Sequence, residues 1–254
     1  MTKAADIVII GGGIIGVSIA YYLGKMGAKN VLLFEKDLIG MCSTGLCAGG
    51  IRRQWSTDVN MHFALKAFEV FQNFEEEFGA SPEFHQIGYL FLARDEEELE
   101  TFGKNIELQN RFGVPSKLLT REEVKKGWPF LNLEDFFGVA FCHTDGYAGP
   151  SEVTNAIAKG ARRYGVNIFE KTEVTSIEVK GNRISSVATT EGSVQTRTVV
   201  NAAGPYAANV GKLAGVEIPV NPIRRQLFVT EPFDKIPSSV PLTIDHKQNF
   251  YFRR

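Results

Sequence analysis

An α/β fold with a Rossmann-like unit is predicted by two features of the first 40 residues. The stretch "DIVIIGGGIIGVSIAYYLG", residues 6–24, indicates a buried strand rich in β-branched residues, a glycine turn and a helix. A second buried strand, "NVLLFEK", follows Gly27 and stops at Glu35. This order of elements is typical of the start of a doubly wound parallel sheet.

The glycines of the first turn have the spacing of a dinucleotide-binding motif. Gly11, Gly13 and Gly16 fit G-x-G-x-x-G, which permits a tight turn, a close approach of backbone to a pyrophosphate, and close helix–strand packing. Glu35 lies about 20 residues after the last glycine, where a carboxylate accepts both ribose hydroxyls of an adenosine. The same carboxylate repels a 2′-phosphate, which argues against NADP as the ligand.

The apolar run also raises the question of a membrane span or a secretory signal. Three consecutive glycines at 11–13 are unfavourable in a helix interior, Asp6 precedes the run, and no small-residue cleavage site closes it. We therefore expect no membrane span and no signal peptide.

Composition excludes several classes of partner. The chain of 254 residues carries 28 basic and 29 acidic side chains, a net charge of −1, with no basic run that would suggest nucleic acid. Its three cysteines are an odd number, and Cys42 and Cys47 lack the spaced partners of a zinc site. We expect no metal site, no nucleic-acid partner and a cytoplasmic location.

The stretch after Glu35 departs from a nicotinamide dehydrogenase, which would continue with regular βα units. It reads "KDLIGMCSTGLCAGGIRRQWST", rich in Gly, Ser, Thr and Ala, and can pass closely beneath a large flat ligand while donating backbone N–H groups. This favours a larger dinucleotide cofactor than NAD.

Five blocks then occur in a characteristic order: the glycine motif with Glu35-Lys36, "STGLCAGGIRRQ", "DGYAGPSEVTNAIAKGARRYGVNI", "TEVTSIEV" and "VVNAAGPYAANVGKLAG". This order resembles the FAD-dependent D-amino-acid oxidase superfamily, and within it the sarcosine oxidase beta subunits and L-proline dehydrogenase-like oxidoreductases. The resemblance implies a Rossmann-like, glutathione-reductase-like FAD-binding domain. It also implies an interleaved substrate domain of antiparallel β-sheet plus helices.

Local signals place further elements along the chain. Pro150 suits a first helical position, the Gly181-Asn182 pair suits a hairpin turn, and "TREE" is a capping box. Residues 95–112 predict a charged amphipathic helix. Strands are predicted in "IGYLFLA", "FFGVAFCHTDG", "NPIRRQLFVTEPF" before Pro232, and "NFYFRR".

These elements predict a discontinuous arrangement of domains. The FAD-binding domain is expected at 1–85 and 149–221, and the substrate domain at 86–148 and 222–254. The resemblance implies that family members continue beyond this point, so we expect this sequence to be an N-terminal part with an incomplete substrate domain.

The motif and the resemblance together predict the residues that bind FAD. Val174 is implied to meet the adenine through its backbone, and Ala202 to Gly204 offer bare backbone to the pyrophosphate. The full predicted set is Gly11, Gly13, Ile14, Ile15, Gly16, Glu35, Lys36, Ser43, Thr44, Ala48, Gly49, Gly50, Ile51, Val174, Ala202, Ala203 and Gly204.

The resemblance also implies the chemistry, which is oxidation of the C–N bond of a small N-substituted or cyclic amino acid. A hydride moves to flavin N5, and the resulting imine is hydrolysed by water. A substrate carboxylate calls for a guanidinium, and Arg52 matches that family position, with Arg53 as the alternative. No histidine lies in a recognisable triad.

Two other interpretations stay open at this point. One is a non-catalytic FAD-binding subunit or fragment of a larger complex, and the other is an NAD-dependent dehydrogenase. The first is compatible with partner subunits in a hetero-oligomer. The sequence does not choose between an oxidase and a dehydrogenase.

Overall fold

A computed structural model describes residues 4–254, which form two compact units. The helices are α1 (Ile14–Lys25), α2 (Asp58–Gln72), α3 (Phe74–Phe78), α4 (Glu96–Arg111), α5 (Arg121–Gly127), α6 (Pro150–Arg163) and α7 (Ala207–Leu213), with a 3-10 turn at Gly204–Tyr206. The strands are β1 (Ile7–Ile10), β2 (Val31–Phe34), β3 (Gly50–Ile51), β4 (Tyr89–Ala93), β5 (Ser116–Leu119), β6 (Gly138–Cys142), β7 (Gly146–Tyr147), β8 (Asn167–Phe169), β9 (Val174–Lys180), β10 (Arg183–Thr189), β11 (Gly192–Gln195), β12 (Val199–Asn201), β13 (Leu242–Asp245) and β14 (Phe250–Phe252).

The first unit is built on a parallel sheet. It comprises the residues up to Cys47, Glu75–Pro82 and Pro150–Leu227. The strand order is β12-β1-β2-β8, and every neighbouring pair is parallel. Parallel strands are buried on both faces, which is why β1 and β2 are almost purely apolar.

Alternation along these strands divides the core into two sides. Val8, Ile10, Leu32 and Phe34 pack with buried side chains of the antiparallel meander β9–β10–β11, Ile177, Val187 and Val194. Successive side chains of a strand point to opposite faces, so Ile9 and Leu33 face the other way. Helix α1 contacts both strands and packs along α6.

The second unit comprises Ala48–Phe74, Glu83–Gly149 and Phe228–Arg254. Its main sheet has the order β14-β13-β4-β6-β5, and β3 pairs separately with β7. Strands β4 and β6 are completely buried, and their side chains belong to separate apolar clusters. The sheet is antiparallel except that β13 runs parallel to β4. At the start of this pair, Leu242 N–H donates to Gly88 O (3.2 Å).

The structure confirms the predicted fold class and most local signals. Pro150 opens α6, the Gly181-Asn182 pair separates β9 from β10, and the helix predicted at 95–112 is α4. The structure adds the N-cap of α4, where Asp95 accepts the Glu98 N–H (2.9 Å). The capping box is complete, with Thr120 and Glu123 bonded reciprocally at the start of α5.

The strands predicted within residues 221–233 are wrong. Within the described residues 4–254, this segment contains no strand and pairs with none. Its apolar side chains are exposed, with 84% of Phe228 and 87% of Val229 accessible to solvent. Apolar, β-branched composition favours a strand, but a strand forms only where a neighbour accepts its backbone hydrogen bonds.

The predicted domain boundaries stay a prediction, since compactness alone does not say which ligand a unit binds.

No helix within the described part of the chain is long and apolar enough to cross a membrane.

Two glycine substitutions should have opposite effects on stability. A Cβ at Gly24 in α1 would lie 2.8 Å from Tyr164 Cβ, whereas a Cβ at Gly103 in α4 would meet only Leu118 Cδ1 at 4.0 Å. Overpacking should make Gly24→Ala destabilising by about 1–3 kcal/mol. Gly103→Ala should stabilise by up to about 1 kcal/mol, because alanine favours a helix interior.

Chemical denaturation of both variants measures these changes. A stabilised Gly24→Ala protein would contradict the close packing at α1.

Candidate cofactor site

The ends of the four parallel strands lie side by side at one edge of the sheet. Asn201, Ile10, Phe34 and Phe169 are successive partners across it. The ladder continues one residue further, where the N–H groups of Ala202, Gly11 and Glu35 each donate to the neighbouring strand's last residue at 2.9 Å. Three predicted cofactor residues of this unit, Gly11, Glu35 and Ala202, therefore lie side by side directly after the ends of their strands.

Two of the motif glycines are required by close backbone contacts. Gly11 has φ +111°, and a Cβ there would lie 2.4 Å from Ala202 O. A Cβ at Gly16 would lie 1.8 Å from Gly11 O. These glycines let α1 start directly against the end of β1, as the motif predicts.

Gly13 is different, because its one close neighbour is a side-chain hydroxyl and no backbone atom. A Cβ at Gly13 would meet only Thr44 Oγ1, at 3.1 Å. Gly13 precedes α1, provides no side-chain cap, and is followed by no acidic residue in the first turn. Thr44 Oγ1 accepts the Ile14 N–H at 3.1 Å and keeps its own proton for donation. The amide end of a 12-residue helix is thus presented to an anion.

Glu35 is fixed by backbone donors immediately beyond β2. Its Oε2 accepts the Gly12 N–H (2.6 Å) and its Oε1 accepts the Asp37 N–H (2.8 Å). An ionised carboxylate has about four acceptor positions, so each oxygen keeps one direction for a hydroxyl. A Cβ at Gly12 would lie 2.9 Å from Glu35 Cβ and 2.5 Å from Ile39 Cδ1, so this glycine is needed as well.

Other predicted residues of this unit flank the same edge. Lys36 Nζ lies 3.8 Å from the ring centroid of Tyr206, which follows the Ala202-to-Gly204 segment. Val174 opens β9 opposite Thr189 and is half-buried. Ile15 and Ser43 are exposed.

The second unit contains the remaining predicted residues, Ala48 to Arg52. Gly50 and Ile51 form β3 and pair with Tyr147 and Gly146. A Cβ at Gly50 would lie 2.1 Å from Tyr89 Oη, so a larger residue there would require the Tyr89 ring to shift.

The adjacent arginines of this unit have different environments. Arg53 is buried, its Nε lies 3.3 Å from Asp145 Oδ1, and its backbone N–H donates to Asp145 Oδ2 at 2.9 Å. Its guanidinium also donates to Thr144 and lies 3.6 Å from the Phe68 ring centroid. Burial raises the pKa of Asp145, and the Arg53 contacts oppose that rise. Arg53 is thereby committed to a structural ion pair.

Arg52 has no such pair. Its guanidinium lies 4.1 Å from the Trp55 ring centroid and 5.2 Å from that of Phe91. Within residues 4–254, no carboxylate lies within salt-bridge distance of it. Desolvation lowers the pKa of Arg52, against smaller opposing effects of Tyr89 and Asp145, yet an arginine side chain stays protonated in proteins. A half-buried cation without a counterion is suited to an anionic ligand.

Several residues of these sites were missed by sequence reasoning. Gly12 could have been found from the run of three glycines, because the motif accepts any residue at that position and a glycine there indicates a further constraint. Trp55, Asp145 and Tyr206 carry no local signal, because their contacts join residues distant along the chain or depend on ring orientation.

Comparison with known proteins decides the cofactor. A family model described as "DAO: FAD dependent oxidoreductase" matches residues 6–254. The chain belongs to this family. Its cofactor is FAD, and the predicted family and its FAD dependence are confirmed.

Individual members of the family give the degree of similarity. Mitochondrial sarcosine dehydrogenase of Mus musculus is 30% identical over 259 residues, covering 100% of this chain and 28% of that protein. Sarcosine oxidase subunit beta of Rhodobacter capsulatus is 27% identical over 235 residues, 91% of this chain and 57% of that subunit. The crystal structure of L-proline dehydrogenase from P. horikoshii superposes with a TM-score of 0.86 at 37% identity, covering 100% of this chain and 68% of that chain. The chain thus spans between about a quarter and two thirds of these proteins' lengths.

Substitutions at Gly13 and Gly16 should separate ligand binding from folding. The Gly13→Ala methyl enters the space before α1, so we expect ADP affinity to fall at least tenfold, ~1.4 kcal/mol, with an unchanged melting temperature. Gly16→Ala forces apart two backbone segments and should lower the melting temperature itself. Calorimetric titration and thermal melts measure both, and Gly13→Ala protein with wild-type ADP affinity would contradict the phosphate assignment.

Glu35 should determine the preference against a 2′-phosphate. Glu35→Gln removes the negative charge, so the preference for ADP over its 2′-phosphorylated derivative should shrink by about tenfold. If Glu35→Gln only disrupted the site in general, the affinities for both ligands would fall by the same factor. An unchanged ratio of the two affinities would therefore contradict the assignment of Glu35 to the ribose. Asp37→Asn is the matched control, since its exposed carboxylate contacts no predicted ligand group.

Proposed function

We propose that this protein, through FAD, oxidises the C–N bond of a small amino acid whose nitrogen is substituted or part of a ring. The observation that carries the proposal is the half-buried Arg52 guanidinium, which has no carboxylate partner within the described residues. Names of related proteins, sarcosine and L-proline dehydrogenases, support this substrate class. Bound FAD supplies the hydride acceptor.

The first unit is proposed to bind the ADP half of FAD. A Cβ at Gly13 would project into the space before the first turn of α1. The backbone N–H groups at this end of α1 suit a pyrophosphate. The carboxylate of Glu35 suits the ribose hydroxyls, because Gly12 and Asp37 already fix its orientation. Thr44 suits a phosphate oxygen, since its hydroxyl proton is free of the Ile14 bond. The remaining predicted contacts, including Lys36, Val174 and Ala202 to Gly204, belong to this proposal.

In the second unit, Arg52 is proposed to bind the substrate carboxylate. A guanidinium presents its N–H donors in its own plane, in a fork that matches two carboxylate oxygens. The Arg52 guanidinium carbon lies over the rings of Trp55 and Phe91, and within the described residues no ion pair with a carboxylate occupies its N–H donors. Arg53 is not proposed for this role, since its guanidinium is paired with Asp145.

Partner subunits and cellular location are also proposals. One relative is named as a subunit of sarcosine oxidase, which supports assembly with other chains. All three cysteines are free, which fits the reducing cytoplasm.

Two experiments on the purified protein test the proposed function in sequence. After FAD is added and excess removed, flavin absorption bands should stay with the protein. Anaerobic addition of sarcosine, N,N-dimethylglycine, L-proline or glycine should then bleach those bands for at least one compound. Retained flavin that none of these amines bleaches would instead support the alternative of a non-catalytic FAD-binding subunit.

Arg52→Ala should raise KM for the best substrate by about tenfold to a hundredfold, since a charge-assisted bond contributes ~1.5–3 kcal/mol. FAD affinity should change much less. The matched control is the neutral amide of the same substrate, whose KM should not depend on Arg52. Equal losses for acid and amide, or an equal loss of FAD, would contradict carboxylate binding by this residue.

A further inference from the structure

Trp55 contacts Arg52 at both ends of the residue. Its indole ring lies beneath the guanidinium, 4.1 Å from ring centroid to Cζ. Its indole Nε1–H donates to the backbone carbonyl of Arg52 at 3.2 Å. One side chain thus fixes both the backbone and the charged group of the arginine.

Trp55 is itself firmly held. Its carbonyl accepts the side-chain amide of Gln109 on α4 at 3.1 Å, and its backbone N–H donates to Arg53 O at 2.9 Å. Its ring packs on the apolar cluster of Met61, Leu108, Val114 and Cys142. Motion of the indole would disturb this cluster, so its position is set by the core of the second unit.

Arg53, one of the two residues between them, is anchored as well. Arg53 N–H donates to the buried Asp145, so the chain directly after Arg52 is fixed to the loop after β6. The two bonds therefore fix the one peptide group that follows Arg52, because its carbonyl accepts from Trp55 and its N–H donates to Asp145.

We propose that Trp55 is the positioning residue for Arg52, holding the guanidinium over its ring so that the N–H donors are ready for a substrate carboxylate. This rests on the proposed role of Arg52. An arginine side chain has high rotamer entropy, and a site that restricts it before binding loses less freedom when the ligand arrives. A contact with an aromatic ring suits this purpose, because it restrains the cation without an ion pair that would occupy its N–H donors.

Equilibrium binding of methoxyacetate to the FAD-loaded protein tests the proposal. This probe keeps the carboxylate and replaces the amine with an ether oxygen, so it is not oxidised. Calorimetry should show Trp55→Leu weakening its affinity about tenfold and Trp55→Phe, which keeps a ring but lacks the indole N–H, about threefold. Trp128→Phe, the other tryptophan of the chain, is the matched control and should bind normally. Circular dichroism verifies that each variant is folded.

A double variant distinguishes action through Arg52 from a general structural role. If Trp55 acts through Arg52, Arg52→Ala/Trp55→Leu binds no more weakly than Arg52→Ala alone. Neutral methoxyacetamide should bind equally to wild type and Trp55→Leu. In the Trp128→Phe background, Trp55 fluorescence should change on adding methoxyacetate and not on adding methoxyacetamide.

The contrary outcomes separate the two proposals. If Arg52→Ala weakens methoxyacetate binding but both Trp55 variants bind as wild type does, the positioning role is overturned and the role of Arg52 stands. A further tenfold loss in the double variant also overturns positioning, because Trp55 would then act independently of Arg52. If Arg52→Ala binds methoxyacetate normally, the proposed role of Arg52 fails, and the positioning proposal fails with it.

Discussion

The in-register ending of four parallel strands is the constraint on which the first unit depends. Because β12, β1, β2 and β8 stop on the same line, the next residues of three of them continue the backbone ladder. The chain must then turn away within a space set by neighbouring carbonyls. At Gly11 and Gly16 this space excludes a side chain altogether, so the packing of α1 on the sheet and the composition of the motif have the same steric cause.

The same geometry explains why the candidate cofactor residues need little basic charge. A helix that starts against the sheet edge turns its amide end outward, and Gly13 keeps that end uncovered. Glu35 follows β2 and bonds to Gly12, so the acidic group is tied to the glycine turn itself. The backbone N–H groups suit the anionic centre of a ligand, and the single carboxylate suits its diol.

In the second unit, two adjacent arginines differ in their contacts: Arg53 is paired with a carboxylate, and Arg52 lies over aromatic rings. Arg53 neutralises the buried Asp145 and fixes the local backbone, at the expense of its availability to a ligand. Arg52 remains charged beside two aromatic rings, which stabilise a cation without occupying its hydrogen-bond donors. Breaking the first pair would leave a buried charge uncompensated, which is why such pairs tolerate little change.

The sequence by itself determined the βαβ start, the glycine spacing, the position of Glu35, the capping box of α5 and the start of α6 at Pro150. These depend on neighbours within a few residues or on simple periodicity, as Thr120 with Glu123 shows. Other features were decided only by the tertiary structure. Residues 221–233 have strand-like composition but no pairing partner among the described residues, and β13 joins β4 in parallel. Arg53, and not Arg52, is paired with a carboxylate, because Asp145 comes from more than 90 residues away. The physical reason is the same in each case, since a strand partner, a buried counterion or a stacked ring comes from a distant part of the chain, which local pattern does not specify.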